Sequence, residues 1–213
     1  MDSNWAAEHL QTIRTLMERS AIYRRALAPV MLYNGVLGLA GAGLGFALKV
    51  ATPTSFILYW YAVSAVALAG SFLLVRRQAL KDAEPFWSPP TRRVTQAVVP
   101  SLAAGFFLGL LVWFNMNSSP PGAPTPIGTQ WLPLGWVILY GCAFHAAGFF
   151  MPRGMRLFGW AFILCGCALL GADLPNRFGW PVYSHGVMGV FFGALHLAYG
   201  IYLYFTERPG NET

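Results

Sequence analysis

Two histidines lie in one of the most apolar stretches of this sequence, where an imidazole is costly to bury and therefore marks a candidate site. His185 and His196 stand eleven residues apart in SHGVMGVFFGALHLAYG, with glycines between them. On a straight helix at about 100° per residue, both histidines fall with Gly189 and Gly193 within an arc of roughly 80°. This spacing predicts one smooth, notched helix face with an imidazole near each end.

A third histidine, His145, lies in another apolar stretch and makes a pair with His196. The two stretches end at Met151 and Phe205. Counted back from these ends at about 1.5 Å per residue, His145 lies roughly 9 Å deep and His196 roughly 14 Å deep. The simplest interpretation is structural. Each neutral imidazole then hydrogen-bonds across helices, with Asn34, Tyr199 or a backbone carbonyl as its partner.

Two interpretations give these histidines a cofactor. In the first, His145 and His196 are the axial ligands of a haem b iron, and neighbouring glycines such as Gly189 and Gly193 make room for the porphyrin. In the second, His185 or His196 donates a hydrogen bond to the carbonyl oxygen of a quinone or lipid. A zinc site is a weaker interpretation, because neither a carboxylate nor a well-placed thiol completes a tetrahedral shell.

Acidic residues are missing from the apolar stretches of the sequence. Asp173 directly follows the apolar stretch Leu157 to Ala172, at its predicted extracytoplasmic end, where His185 and Tyr183 also lie. Proton- and cation-coupled transporters place an Asp or Glu near the membrane midplane, so a small-molecule or lipid transporter is only the third functional interpretation. The sequence also contains no nucleotide-binding loop, metalloprotease motif or paired nucleophile and base.

The elements that must position these residues are membrane-spanning helices. Of the 213 residues, 56% are hydrophobic and 10% are charged, whereas a soluble domain has about 25% charged residues. Six stretches without Asp, Glu, Lys or Arg are long enough to cross a hydrocarbon core of about 30 Å. They run from Pro29 to Leu48, Ser55 to Val75, Val94 to Asn115, Leu132 to Met151, Leu157 to Ala172 and Val182 to Phe205.

The distribution of basic residues predicts the orientation of these spans. With six spans, twelve of the 14 Lys and Arg residues lie on one side and only Lys49 and Arg177 lie on the other. This asymmetry predicts cytoplasmic N and C termini in the cytoplasmic membrane of a bacterium-like cell. The net charge of +6 therefore reflects topology, and we expect no nucleic-acid partner.

The predicted protein is thus all-α and has three parts. Residues 1–28 form an amphipathic helix at the cytoplasmic surface, with Leu10, Ile13 and Met17 at helical spacing, and the alternative is a solvated helix that continues into the first span. Residues 29–205 form the six-helix transmembrane domain, and residues 206–213 form a short cytoplasmic tail.

Small residues predict how the spans pack. Asn34, Gly38, Gly41 and Gly45 share an arc of about 60° on the first span. The last span carries its own glycine face. Because apolar burial does not drive helices together in lipid, such faces let backbones approach closely, and we expect these two spans to pair.

These patterns lead to a functional expectation that is non-enzymatic. The chain is expected to be an accessory or scaffolding subunit that packs, through its glycine faces, against other membrane proteins or a second copy of itself. The alternative is a redox membrane protein that binds haem b or a quinone through His145 and His196.

Overall fold

The computed structural model describes residues 26–83, 85–118, 120, 127–172 and 174–206, and the regular secondary structure of these residues is helical. Residues 1–25 and 207–213, which hold most of the predicted amphipathic helix and tail, lie outside the described residues, as does Asp173. In chain order the helices are α1 (Ala26–Ala47), α2 (Pro53–Lys81), α3 (Pro89–Ser118), a 3₁₀ turn (Ile127–Trp131), α4 (Leu132–Ala147), α5 (Arg153–Leu170), the short α6 (Leu174–Phe178) and α7 (Trp180–Met188), which continues through a π-helical segment (Gly189–Leu195) into α8 (His196–Thr206).

Among the described residues, five helices are long and apolar enough to cross a membrane: α1, α2, α3, α5 and the continuous last span formed by α7, the π segment and α8. This architecture is consistent with the all-α, polytopic membrane protein expected from the sequence. The predicted fourth span corresponds to α4, which has 16 residues.

Local sequence signals set the helix boundaries. The Oγ1 atom of Thr52 accepts a hydrogen bond of 3.2 Å from the Ser55 amide, which caps α2, and Pro53 fits the first turn because that turn needs no amide donor. Gly179 precedes α7 with a φ of 75°, a conformation that only glycine adopts easily. These signals set the N-terminal ends of α2 and α7.

The expected pairing of the first and last spans is confirmed. A Cβ atom added to Gly35 would lie 2.5 Å from the Leu197 backbone nitrogen, and one added to Gly200 would lie 2.8 Å from the Leu32 nitrogen. Gly38 lies so close to the Phe192 carbonyl that a Cβ there would overlap it. The two backbones therefore touch along their glycine faces, as small residues allow in a membrane.

Two residues of the predicted α1 face, Gly41 and Asn34, contact α2 and not the last span. A Cβ atom added to Gly41 would lie 3.5 Å from the Trp60 side chain and 3.4 Å from the Val63 side chain. The Asn34 side-chain amide donates to Ser71 Oγ over 2.9 Å and to the Val30 carbonyl over 3.0 Å. The face of α1 is thus divided between two neighbours.

Helices α4 and α5 form a second close pair. A Cβ on Gly141 would lie 2.8 Å from the Gly159 carbonyl oxygen, and a Cβ on Gly159 would lie 2.5 Å from the His145 backbone nitrogen. The short MPRGMR connection thus joins two antiparallel helices in close contact.

The last span is not a straight α-helix, so that part of the prediction is wrong. Within Gly189–Leu195 the turns close over five residues instead of four. One extra residue per turn rotates the following helix by about 100° relative to an unbroken α-helix. His196 therefore leaves the face it was expected to share with His185 and points toward α4 and α5.

Candidate functional site

His185 is completely buried at the first end of the last span, and both of its ring nitrogens are hydrogen-bonded. The Trp60 indole Nε1–H donates to His185 Nδ1 over 3.2 Å. The His185 Nε2–H donates to the Val50 carbonyl over 3.0 Å. Because an indole nitrogen only donates and a carbonyl only accepts, this pair of partners requires the neutral Nε2–H tautomer.

Aromatic rings enclose the His185 imidazole. Phe56 approaches edge-on at 5.2 Å between ring centroids, and Phe46 and Tyr59 lie at 5.3 and 6.0 Å. Gly45 of α1 faces the same ring so closely that a Cβ would overlap it. The glycine therefore provides the space that the imidazole occupies, and we call this arrangement the His185 site.

His196 is equally enclosed, with 1% of its surface exposed. Its Nδ1–H donates to the Phe191 carbonyl over 2.9 Å, within its own helix, and Tyr140 Oη lies 2.6 Å from Nε2. In the neutral ring Nε2 is unprotonated, so the Tyr140 hydroxyl is the donor. The tautomer is therefore the opposite of that at His185.

The π segment explains the bond to Phe191. A widened turn displaces backbone carbonyls from the α-helical hydrogen-bond ladder, which lets a side chain reach one of them. The rings within 6.3 Å of the His196 centroid come from the last span, α4 and α5. This arrangement, the His196 site, comprises Tyr140, Phe144, Phe158, Phe162, Phe192 and His196.

His145 lies elsewhere. Its ring packs edge-on against Trp160 at 5.1 Å and Phe149 at 5.4 Å, and the Arg156 guanidinium lies 5.3 Å from the Phe149 ring centre. The Nδ1 atom of His145 is buried and has no hydrogen-bond partner. None of these ring contacts is shared with the His196 site, so the structure does not bring the two histidines into one aromatic cluster.

The space beside Gly189 and Gly193, where a porphyrin was expected, is occupied by α1. The glycines expected to make room for a porphyrin contact α1 instead: a Cβ on Gly189 would lie 2.9 Å from Ala42, and one on Gly193 would lie 2.8 Å from Leu39. Iron ligation by His196 Nε2 also requires the Tyr140 hydroxyl to leave that atom. Within the described residues, no group of three or more His, Cys, Asp or Glu side chains is placed to hold a metal ion.

The other predicted polar residues have separate surroundings. Asn34 links α1 to α2 through Ser71 and does not contact a histidine ring nitrogen. The Tyr199 ring stacks on Phe158 at 4.8 Å, at the edge of the His196 site. The two partners that sequence reasoning missed are Trp60 and Tyr140.

A depth comparison could have found Tyr140. Measured from the predicted end of the fourth span, Tyr140 lies roughly 16 Å deep, closer to the roughly 14 Å of His196 than His145 is. The same comparison places Trp60 roughly 8 Å and His185 roughly 5 Å from the extracytoplasmic ends of the second and sixth predicted spans, so it could also have found Trp60, although the bond joins residues 125 positions apart. Comparison with protein-family models, curated proteins and solved structures found no match to this chain.

Proposed function

We propose that this chain is a non-enzymatic integral membrane protein that acts as an accessory or scaffolding subunit beside other membrane proteins. The observation that carries the proposal is the outward apolar surface of α2 and α3. Only 11% of the most apolar window of each helix is buried inside the chain, compared with 44% for the last span. These two helices contact each other and present one broad surface to their surroundings.

Large side chains dominate that surface, including Leu68 and Phe72 on α2 and Phe107 and Leu111 on α3. The glycine faces, which were expected to meet partners, are occupied within the chain by α1, the last span and the α4–α5 pair. The partner surface proposed here is therefore the bulky α2–α3 face. A second membrane protein would pack against it by van der Waals contact.

The proposal includes six spans and a defined orientation. Helix α4 has 16 residues and the preceding 3₁₀ turn has five. Their combined length is roughly 34 Å, which is enough to cross a hydrocarbon core of about 30 Å. The distribution of basic residues supports a topology with both termini, and the amphipathic segment over residues 1–28, on the cytoplasmic side of a bacterial inner membrane.

Site-specific photo-crosslinking tests the scaffolding role. A photoreactive residue replaces Leu111 on α3, and a matched variant carries it at Leu164 on α5, since both leucines are 61% exposed. We expect a discrete protein adduct from position 111 in native membranes and only lipid adducts from position 164. Lipid adducts alone at both positions would contradict the proposal.

Cysteine labelling tests the crossing and orientation of α3, on which the proposed topology depends. The three free cysteines are replaced by serine, and single cysteines are introduced at Ser88, between α2 and α3, or at Pro120, after α3. We expect an impermeant thiol reagent to reach position 120 from outside the cell and position 88 only after the membrane is opened. Labelling of both from one side would contradict the topology.

A haem- or quinone-binding redox protein is the second candidate, and one observation favours it. His145 keeps a buried Nδ1 atom without a partner, beside Trp160 and Phe149, so this ring has hydrogen-bonding or ligating capacity that the chain does not use. An absorption spectrum of protein from haem-replete cells tests the haem version. A Soret band that is lost in both His145→Ala and His196→Ala supports it, and a colourless wild-type preparation excludes it.

A further inference from the structure

Helix α2 is longer than a membrane requires. Its 29 residues correspond to about 43 Å, compared with a hydrocarbon core of about 30 Å. The excess is about nine residues. It falls at the C-terminal end, because the first charged residue of α2 is Arg76 and the helix begins with apolar residues such as Phe56 and Ile57.

The projecting part of α2 has one face that carries both basic and apolar side chains. A shallow, open surface depression with a volume of about 430 Å³ lies along this face. At about 100° per residue its lining residues span an arc of about 140°. They are Leu73, Arg76, Arg77, Leu80 and Lys81. Three cations thus surround two leucines that are 60% and 72% exposed.

The turn to α3 adds charge and an anchor to the same end of the bundle. Arg92 and Arg93 are exposed in the first turns of α3. Phe86 packs edge-on against Phe72 at 5.0 Å, and Trp87 beside it is 60% exposed, as is typical of a side chain at the membrane interface.

Basic residues outnumber acidic residues around this surface, since the sequence from Arg76 to Arg93 has five basic residues and two acidic ones, Asp82 and Glu84. Asp82 is the one acidic residue within the described ranges, and its Oδ2 atom accepts a hydrogen bond of 3.0 Å from Gln78 Nε2. The field at the end of α2 is therefore positive, and it attracts an anion.

We propose that this face of α2 binds the phosphodiester headgroup of an anionic phospholipid. Arg76, Arg77 and Lys81 contact the phosphate, and an acyl chain descends along Leu73 and Leu80. The leucines favour a lipid over free phosphate, because only a lipid has an apolar part that covers them. The proposal depends on the membrane placement of α2 and not on the partner proposed for α3.

Native mass spectrometry of the purified full chain tests this site. The probes are phosphatidylglycerol and phosphatidylcholine with identical acyl chains, each titrated into the detergent-solubilised protein. We expect preferential binding of phosphatidylglycerol, and we expect the double variant R76Q/R77Q to lose about tenfold in apparent affinity for it. The matched control R153Q/R177Q removes the same charge from exposed positions on α5 and α6 and should keep wild-type affinity.

Two further variants separate the contributions. R76K/R77K keeps the charge and should retain most of the binding, whereas L73S/L80S should weaken phosphatidylglycerol binding with all cations present. Equal losses in R76Q/R77Q and R153Q/R177Q, or equal binding of the two lipids, would overturn the proposal. Displacement of the lipid by millimolar inorganic phosphate would also overturn it and would identify a site for free phosphate. None of these outcomes bears on crosslinking at Leu111, so the two proposals fail separately.

Discussion

The His185 and His196 sites use the same residue type on the same helix, yet their partners constrain them differently. At the His185 site, Trp60 only donates and Val50 only accepts, so both ring nitrogens have a fixed role. At the His196 site the Phe191 carbonyl fixes one nitrogen, but the Tyr140 hydroxyl can donate or accept. A proton added to Nδ1 of His185 breaks the hydrogen bond from Trp60. A proton added to Nε2 of His196 only reverses the direction of its hydrogen bond with the Tyr140 hydroxyl.

The two sites also join different parts of the chain. The bonds of His185 connect the last span to residues 125 and 135 positions earlier, in α2 and in the α1–α2 connection. His196 connects it to α4 and to its own helix. The last span is thus bonded to two different parts of the chain, through His185 near its N-terminal end and through His196 near its middle. The π segment lies between the two histidines.

The largest expected effect breaks both sites at once. Gly38→Ala places a Cβ against the Phe192 carbonyl of the π segment, between the two histidines, and should destabilise the protein by about 3 kcal/mol. Unfolding in mixed detergent micelles measures the change. Gly43→Ala on the same helix meets open space and should be neutral or stabilising by up to about 1 kcal/mol. Similar losses in the two variants would refute the close α1 contact.

A smaller change separates the sites. Gly45→Ala inserts a Cβ into the space of the His185 ring, and we expect a loss of about 2 kcal/mol. Nitrogen NMR of labelled histidines should show that the His185 signals move while those of His196 stay in place. Equal movement of both sets would mean that the sites are coupled through the helix.

Removing one hydroxyl isolates the His196 site. Tyr140→Phe deletes the donor to Nε2 and leaves the ring in place, so we expect a loss of about 1 kcal/mol in the same unfolding assay. Tyr202→Phe, at a 59% exposed position, is the control and should change little. A stability unchanged in Tyr140→Phe would show that this hydrogen bond contributes nothing.

The last prediction involves no loss of stability. In the wild-type protein, ring-nitrogen chemical shifts should assign the proton to Nε2 in His185 and to Nδ1 in His196. A single shared tautomer would contradict the hydrogen-bond partners described for one of the two sites.

The sequence alone predicted the helices and one of their contacts. Six uncharged stretches coincide with helices in the structure, and the glycine faces correctly paired α1 with the last span. These features depend on composition and on helical periodicity, which are local properties. Helical periodicity does not predict the π segment, whose residues contact α1, α4 and α5 in the structure.

The rotation introduced by the π segment is why the site could be predicted only in outline. A buried, hydrogen-bonded imidazole with a tyrosine and a backbone carbonyl was the right kind of environment for His196. The expected tyrosine was Tyr199, one turn away on the same helix, whereas the partner is Tyr140 on α4. Trp60 is 2% exposed and donates a hydrogen bond to His185, a long-range contact that helical periodicity does not predict.

The dependence of both sites on the final helix has a consequence for biogenesis. Translation produces α1 before its glycine-contacting neighbour, so the Gly35 and Gly38 surface faces lipid or insertion factors while the intervening helices are made. A nascent chain that stops before Trp180 leaves this surface open. The contact between α1 and the last span can therefore form only after the described helices between them have been made.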